Sequence, residues 1–328
     1  MSRFFIITGA GLVILILFSL MLGDLPYSPG QLQDALLQHG DPARRLILWQ
    51  IRLPRTLLAV MVGAGLGASG AALQGYLRNP LADPGIVGIS ASAGLGAVMA
   101  LYFGLTAASI WALPAAAMAG AGLAAAVLMV LARGRTSITS VILGGVALSS
   151  LSVALTALLM NLSPNPWALS EIAYWLMGSV ADRSFAELAF AAPLILGGIA
   201  VLMFSAQALN ALGLGEEAAR SMGVSLKRTG QLVVFGTLLC VGAGVAVAGA
   251  IGFIGLVAPH LVRPLFGARP GALILPSAMT GGVLLLAADI LARALSGQGT
   301  PLYLGVTTAL LGAPFFLYLV IRYRRAFP

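Results

Sequence analysis

The sequence has little of what soluble chemistry uses. Charged residues fill 9% of its 328 positions, against roughly 25% in a soluble domain. Lysine occurs once, at Lys227, and histidine twice. A single cysteine, Cys240, excludes an internal disulfide and any cysteine-rich metal site. No Gly-x-x-x-x-Gly-Lys-Ser/Thr phosphate loop is present, and Lys227 follows GVSL, so the chain cannot hydrolyse ATP by that route. His-Glu-x-x-His, Gly-x-Ser-x-Gly and paired carboxylates are also missing, which leaves an enzyme reading unsupported and the expected metal and cofactor set empty. The net charge of +8 comes without a basic stripe interleaved with aromatics, so nucleic acid is not the expected partner.

What fills the space is apolar. Hydrophobic residues reach 59% and mean hydropathy is +1.00, the signature of a polytopic membrane protein. A hydrocarbon core takes about 20 residues per helix, so an all-α bundle of roughly ten helices in one domain, residues 1–328, is expected. The 41 glycines, with many alanines and serines, predict helices that meet through small-residue faces. Spans are expected near Phe4 to Leu22, Leu57 to Tyr76, Gly85 to Phe103, Ile110 to Leu131 and Ser140 to Met160. The second half adds Leu188 to Ala206, Gly230 to Ala250, Ile254 to Phe266, Ala272 to Leu295 and Leu304 to Ile321. The first run ends in LMLGD, without a small-x-small cleavage site, which favours a retained helix over a removable leader.

With both termini in the cytoplasm, twelve of the Lys and Arg residues fall inside and six outside, which satisfies the positive-inside rule. Outside lie Arg44, Arg45, Arg52, Arg55, Arg183 and Arg293. The polar interval from Asn210 to Thr229 then faces the cytoplasm. Leu214, Ala218, Ala219 and Met222 recur there at helical spacing, Glu216 and Arg220 stand four apart, and Gly223 supplies a stop. The pattern predicts a short amphipathic helix offered to a partner, or else a solvated connection.

The run Ile254 to Phe266 is too brief to cross a bilayer and follows the glycine-broken GAIGFIG. Interrupted helices of this kind occur where backbone lines a cavity or packs inside protein. A similar glycine-rich helix, Pro-containing basic turn and small-residue helix begins near Gly70, which suggests an internal repeat. Ionisable groups within the spans reduce to His260, read as a structural histidine, and Asp289 with Arg293, four apart and read as a local ion pair.

Five stretches together resemble the membrane subunit of the type II ATP-binding-cassette importers, which carry iron-siderophore complexes, heme and cobalamin. They are WQIRLPRTLLAVMVGAGLGASGAALQGYLRNPLADPGIVGIS, LGEEAARSMGV, AGAIGFIGLVAPHLVR, AADILARAL and GVTTALLGAPFFLYLVIR, in order from Trp49 to Arg322. The resemblance implies a homodimeric pathway in a bacterial inner membrane, two ATPase subunits that use ATP and Mg, and a periplasmic binding protein. It implies that Leu214, Gly215, Glu216, Glu217, Arg220, Met222 and Gly223 couple to the ATPase. Arg52, Arg55 and Arg293 would dock the binding protein; anchoring a helix end at the headgroups is the plainer alternative. Asn79, Leu81, Ser137 and Thr139 would form a cytoplasmic gate. Tyr174, Trp175 and Met177 would line the cavity, although an interfacial aromatic belt explains Tyr174 and Trp175 equally well. An ion-coupled secondary carrier of a small solute is the rival reading, and the shortage of intramembrane acids counts against it.

Overall fold

Helix follows helix from Ser2 to Arg324, and no strand occurs among the described residues. The computed structural model describes residues 2–23, 25–131, 138–267, 269–296 and 301–324. In chain order the helices are α1 (Ser2–Met21), α2 (Pro29–Leu36), α3 (Pro42–Ile47), α4 (Leu53–Tyr76), α5 (Ile89–Tyr102), α6 (Ala112–Leu131), α7 (Ile138–Asn161) and α8 (Pro166–Leu176). They continue as α9 (Phe185–Phe204), α10 (Ala206–Leu212), α11 (Glu216–Ser221), α12 (Leu226–Thr237), α13 (Ala243–Ala248), α14 (Ile254–Phe266), α15 (Pro270–Leu295) and α16 (Leu304–Arg324).

Eight stretches among the described residues are long and apolar enough to cross a membrane. Two of these are composites in which a five-residue π-helical piece, Leu48–Arg52 or Leu238–Gly242, joins α3 to α4 and α12 to α13. The shorter apolar helices α5 and α14 complete the ten expected segments. At 1.5 Å per residue, 14 and 13 residues reach only about 20 Å, so each stops short of a bilayer's width. Both follow a backbone break. Before α5, Pro84–Val87 forms a 3-10 turn and Gly88 takes φ 80°, so the helix starts later than the Gly85 expected from hydropathy. Before α14, Gly249 and Phe253 have φ 70° and 68°, a conformation that is unusual for a phenylalanine. The two halves therefore share the broken-helix feature that their sequences echo.

The core is built where helices lose their side chains. α4 is nearly enclosed and lies against α15, with Gly63 facing the Gly281 carbonyl and Gly67 facing that of Ser277. Gly70 of α4 meets the Gly255 carbonyl of α14, and Gly96 and Gly120 bring α5 and α6 together in the same way. A Cβ at any of these positions would collide with backbone, which has no side-chain rotamer to yield. Bare backbones meeting this way suit a bilayer, where helix association depends on close packing. Around this centre, α1, α7 and α16 turn large apolar side chains outward, among them Ile6, Ile14, Leu143, Val153, Leu310 and Leu317.

Candidate functional site

Polar chemistry gathers at the two ends of the bundle. At one end, the last carbonyls of α1 have no helical donors of their own, and the helix dipole makes that terminus negative. Arg52 and Arg293 supply the donors. Arg52 is 6% exposed; its Nη1 donates to the Leu20 and Met21 carbonyls at 2.8 and 3.3 Å, and its Nη2 donates to Leu25 O at 2.6 Å. Its guanidinium also stands 4.3 Å over the ring of Tyr27. Arg293 Nη1 donates to Ser19 O at 3.0 Å and Nη2 to Ser19 Oγ at 2.6 Å.

Behind them Asp289, 1% exposed, links α15 to α4. Its Oδ1 accepts from Arg55 Nη2 at 2.9 Å and from Nε at 3.1 Å, and its Oδ2 lies 3.2 Å from Arg293 Nε. The intrahelical ion pair expected from spacing is present, and Arg55 extends it to a triad between two helices. The placement of Arg52 differs from the surface position expected for a docking residue: it is a buried brace on α1. Arg55 and Arg293 keep 22% and 13% side-chain exposure.

These arginines line a cavity of about 1160 Å³ whose wall also includes Glu171, Tyr174, Trp175, Asp182, Arg183 and Tyr303. That volume exceeds the roughly 300–1,000 Å³ typical of sites for drug-sized ligands. Tyr174 and Tyr303 stack, with ring centroids 5.8 Å apart and planes 17° from parallel. Of the expected lining residues, Tyr174 and Trp175 face the cavity. Met177 is exposed but lies off its wall, because α8 has ended one residue earlier and the chain turns through Gly178 at φ 72°.

At the opposite end α10 and α11 form the polar platform. The Glu216 and Arg220 side chains meet at 3.5 Å on its surface. Gly223, at φ 80°, ends α11: its N–H donates to Arg220 O at 2.9 Å and that of Val224 donates to Ala219 O at 3.0 Å, the two bonds of a Schellman stop. The four apolar residues expected on one helical face divide between inside and outside. Ala219 is buried and Ala218 half-buried, but Leu214 and Met222 are 73% and 53% exposed, because α11 is six residues long and both fall outside it. Asn210 Oδ1 accepts from Gly271 N at 2.9 Å and so fastens the platform to the start of α15.

The chain between α4 and α5 carries two of the expected gate residues. Asn79 is exposed and its Oδ1 accepts from Leu81 N at 2.9 Å, while Leu81 is half-buried. Thr139 is exposed at the start of α7; Ser137 lies outside the described residues. Gln74, which sequence reasoning passed over, anchors this chain. Its Oε1 accepts from Arg263 Nη2 at 2.7 Å, and its Nε2 lies 3.4 Å from Ala82 O and 3.5 Å from Leu256 O. A glutamine inside the small-residue run GASGAALQGY was the available signal. Asp83 follows, its carboxylate accepting from Gly85 N at 2.8 Å beside a cavity of about 140 Å³ that reaches Gly252 and Gly255 of the second helix break. His260 has a structural bond: its Nδ1 donates to Leu256 O at 3.0 Å.

The model of the FecCD transport family matches residues 11–322. The chain belongs to that family. This FecCD chain is 42% identical over 302 residues to the cobalamin import system permease protein BtuC of Halobacterium salinarum, covering 91% of this chain and 80% of the relative. It is 41% identical over 315 residues to the vitamin B12 import system permease protein BtuC of Klebsiella pneumoniae, covering 95% and 92% of the two chains. A solved metal-chelate type ABC transporter in an inward-facing conformation superposes with a TM-score of 0.89 at 34% identity, covering 98% of this chain and all of the other. As a FecCD family member, the protein is a multi-pass membrane permease of the ABC-importer type, built as an all-α bundle.

Proposed function

We propose that this chain is the membrane subunit of an ATP-driven importer that passes a large metal chelate from a periplasmic binding protein to the cytoplasm, with cobalamin the leading cargo. The observation that carries the reading is identity above 40%, over more than nine-tenths of the chain, to two permeases named for cobalamin or vitamin B12 import. Ferric siderophores and heme are the other cargoes of the class. The arginine-rich end faces outward and the platform faces the cytoplasm, with both termini, as the charge distribution favours. Two copies enclose the pathway, and the large apolar residues on α7 and α16 suit such a contact.

In this reading the chain binds no nucleotide; two ATPase subunits use ATP and Mg in trans. Leu214 and Met222 enter a groove on the ATPase, while Glu216, Glu217 and Arg220 orient the contact, and Gly215 and Gly223 bound it. When the ATPase dimer closes, the push enters α9 and α12 through the chain and α15 through the Asn210 to Gly271 bond. The segment held by Gln74 narrows the inner exit, with Asn79, Leu81, Ser137 and Thr139 at its rim. Arg55 and Arg293 meet acidic groups of the binding protein, and Arg52 braces the end they stand on.

The rival ion-coupled carrier needs a titratable relay inside the membrane. Asp289 is the single carboxylate in the interior of the described spans, and it is held between two arginines. The deciding experiment reconstitutes the permease with its ATPase and binding protein in proteoliposomes and follows cyanocobalamin. Uptake that needs ATP supports the proposal; uptake driven by an ion gradient without the ATPase overturns it.

A further inference from the structure

Four arginines line the large cavity, and three have protein partners. Arg52 holds carbonyls of α1 and its following turn, Arg55 holds Asp289, and Arg293 holds Asp289 and Ser19. Arg183 differs. It lies in the turn between α8 and α9, just after Asp182 at φ 55°, and its Nε is buried with no hydrogen-bond partner among the described residues. Its acidic neighbours do not form an ion pair with it among those residues. Glu187 is engaged in the cap of α9, accepting from Ser184 N at 2.8 Å and Ser184 Oγ at 2.6 Å. Burial pushes the Arg183 guanidinium below its ordinary pKa, while Glu187 and Asp182 push it back up. An arginine starts so far above neutrality that it remains a cation.

A second donor on the same cavity shares this condition: Trp175 Nε1 is buried without a partner among the described residues. Both groups can only donate, so what completes them must bring acceptors. In a solvated cavity water can supply those acceptors. A cargo that displaces the water must return the acceptor or lose affinity.

We propose that Arg183, with the Trp175 indole N–H, receives an anionic oxygen group on the rim of a flat chelate, a phosphodiester or a carboxylate, while the stacked Tyr174 and Tyr303 offer their aromatic faces to the ring. A charged hydrogen bond is stronger than a neutral one, so the contact favours a cargo that carries the anionic group over an analogue that lacks it. The inference rests on the importer reading and adds a selective contact to the permease itself.

The test uses the full assembly in proteoliposomes with two matched pairs. Cyanocobalamin and dicyanocobinamide share a corrin ring, but only the first has the phosphodiester; heme and its dimethyl ester differ in free carboxylates. Arg183→Gln should lower ATP-driven uptake of the member that carries the phosphodiester or free carboxylates about tenfold, as loss of a charged hydrogen bond does, and leave the analogue that lacks the group within about twofold. Arg183→Lys should keep most of the uptake, and capture of the binding protein should be unchanged. The pair that responds tells a phosphodiester from a carboxylate. Equal loss for both members, no loss for either, or weakened capture of the binding protein would each overturn the role for Arg183. A wild-type assembly that moves none of the four with ATP removes cobalamin and heme as cargoes and overturns this inference, while the ion-gradient experiment decides the importer reading separately.

Discussion

Replacing Asp289 tests whether the arginine-rich end is held by charge. The carboxylate is 1% exposed and faces Arg55 at 2.9 Å and Arg293 at 3.2 Å. Asp289→Asn keeps the shape and one acceptor but leaves two partly buried guanidiniums facing each other without compensation. Removing one partner of a buried ion pair costs about 3–5 kcal/mol. Because Arg55 retains 22% side-chain exposure and can turn toward solvent, the lower part of that range, about 3 kcal/mol, is expected here. That is a change of more than a hundredfold in the folded-to-unfolded ratio. Reversible SDS unfolding in mixed micelles, followed by tryptophan fluorescence, measures it. The triple variant Arg55→Met, Asp289→Leu, Arg293→Met should recover much of the loss, since an apolar set of similar volume often matches a buried ion network. If Asp289→Asn unfolds within about 0.5 kcal/mol of the parent, the triad is not what holds this end and the reasoning fails.

Three further expectations follow from the packing and the platform. Gly67→Val should destabilise by at least the 1–3 kcal/mol typical of overpacking, because the Ser277 carbonyl occupies the space, whereas Gly122→Ala, with nothing within 4 Å, should unfold like the parent in the same assay. Leu214→Ala with Met222→Ala should leave unfolding unchanged, since both side chains are exposed, yet weaken ATPase capture by tenfold or more, which surface plasmon resonance would read. Glu216→Ala with Arg220→Ala removes an exposed pair worth about 0.3–0.5 kcal/mol to the fold but should abolish ATP-driven uptake; intact uptake would remove these two residues from the coupling surface.

Much of this architecture was legible in the sequence because a bilayer constrains so strongly. Ten apolar runs became ten apolar helical segments, and the two short ones stood where glycine and proline break the chain. Spacing gave the Asp289 to Arg293 pair, since residues four apart on a helix must be neighbours. It could not give Arg55, 234 positions from Asp289, because that contact depends on how closely α4 and α15 approach. The same limit hid Gln74 with Arg263, 189 positions apart. Arg52 was misplaced for a related reason: a guanidinium at a helix end reads as surface until the carbonyls of a neighbouring helix arrive beside it. Leu214 and Met222 were read with Ala218 and Ala219 as one face of a helix, yet both fall outside α11, because periodicity reports angle around an axis, not where the helix stops.

The crossing of α4 and α15 leaves no cushion between them. Where two main chains touch, neither can slide by the small rotamer adjustments that let ordinary cores absorb displacement. α15, 26 residues and about 39 Å long, is gripped at its beginning through Gly271 and near its far end through Asp289. A member clasped at both extremities and fused along its flank behaves as a strut, so a nudge at one face of the membrane should emerge at the other as tilt, with little lost on the way.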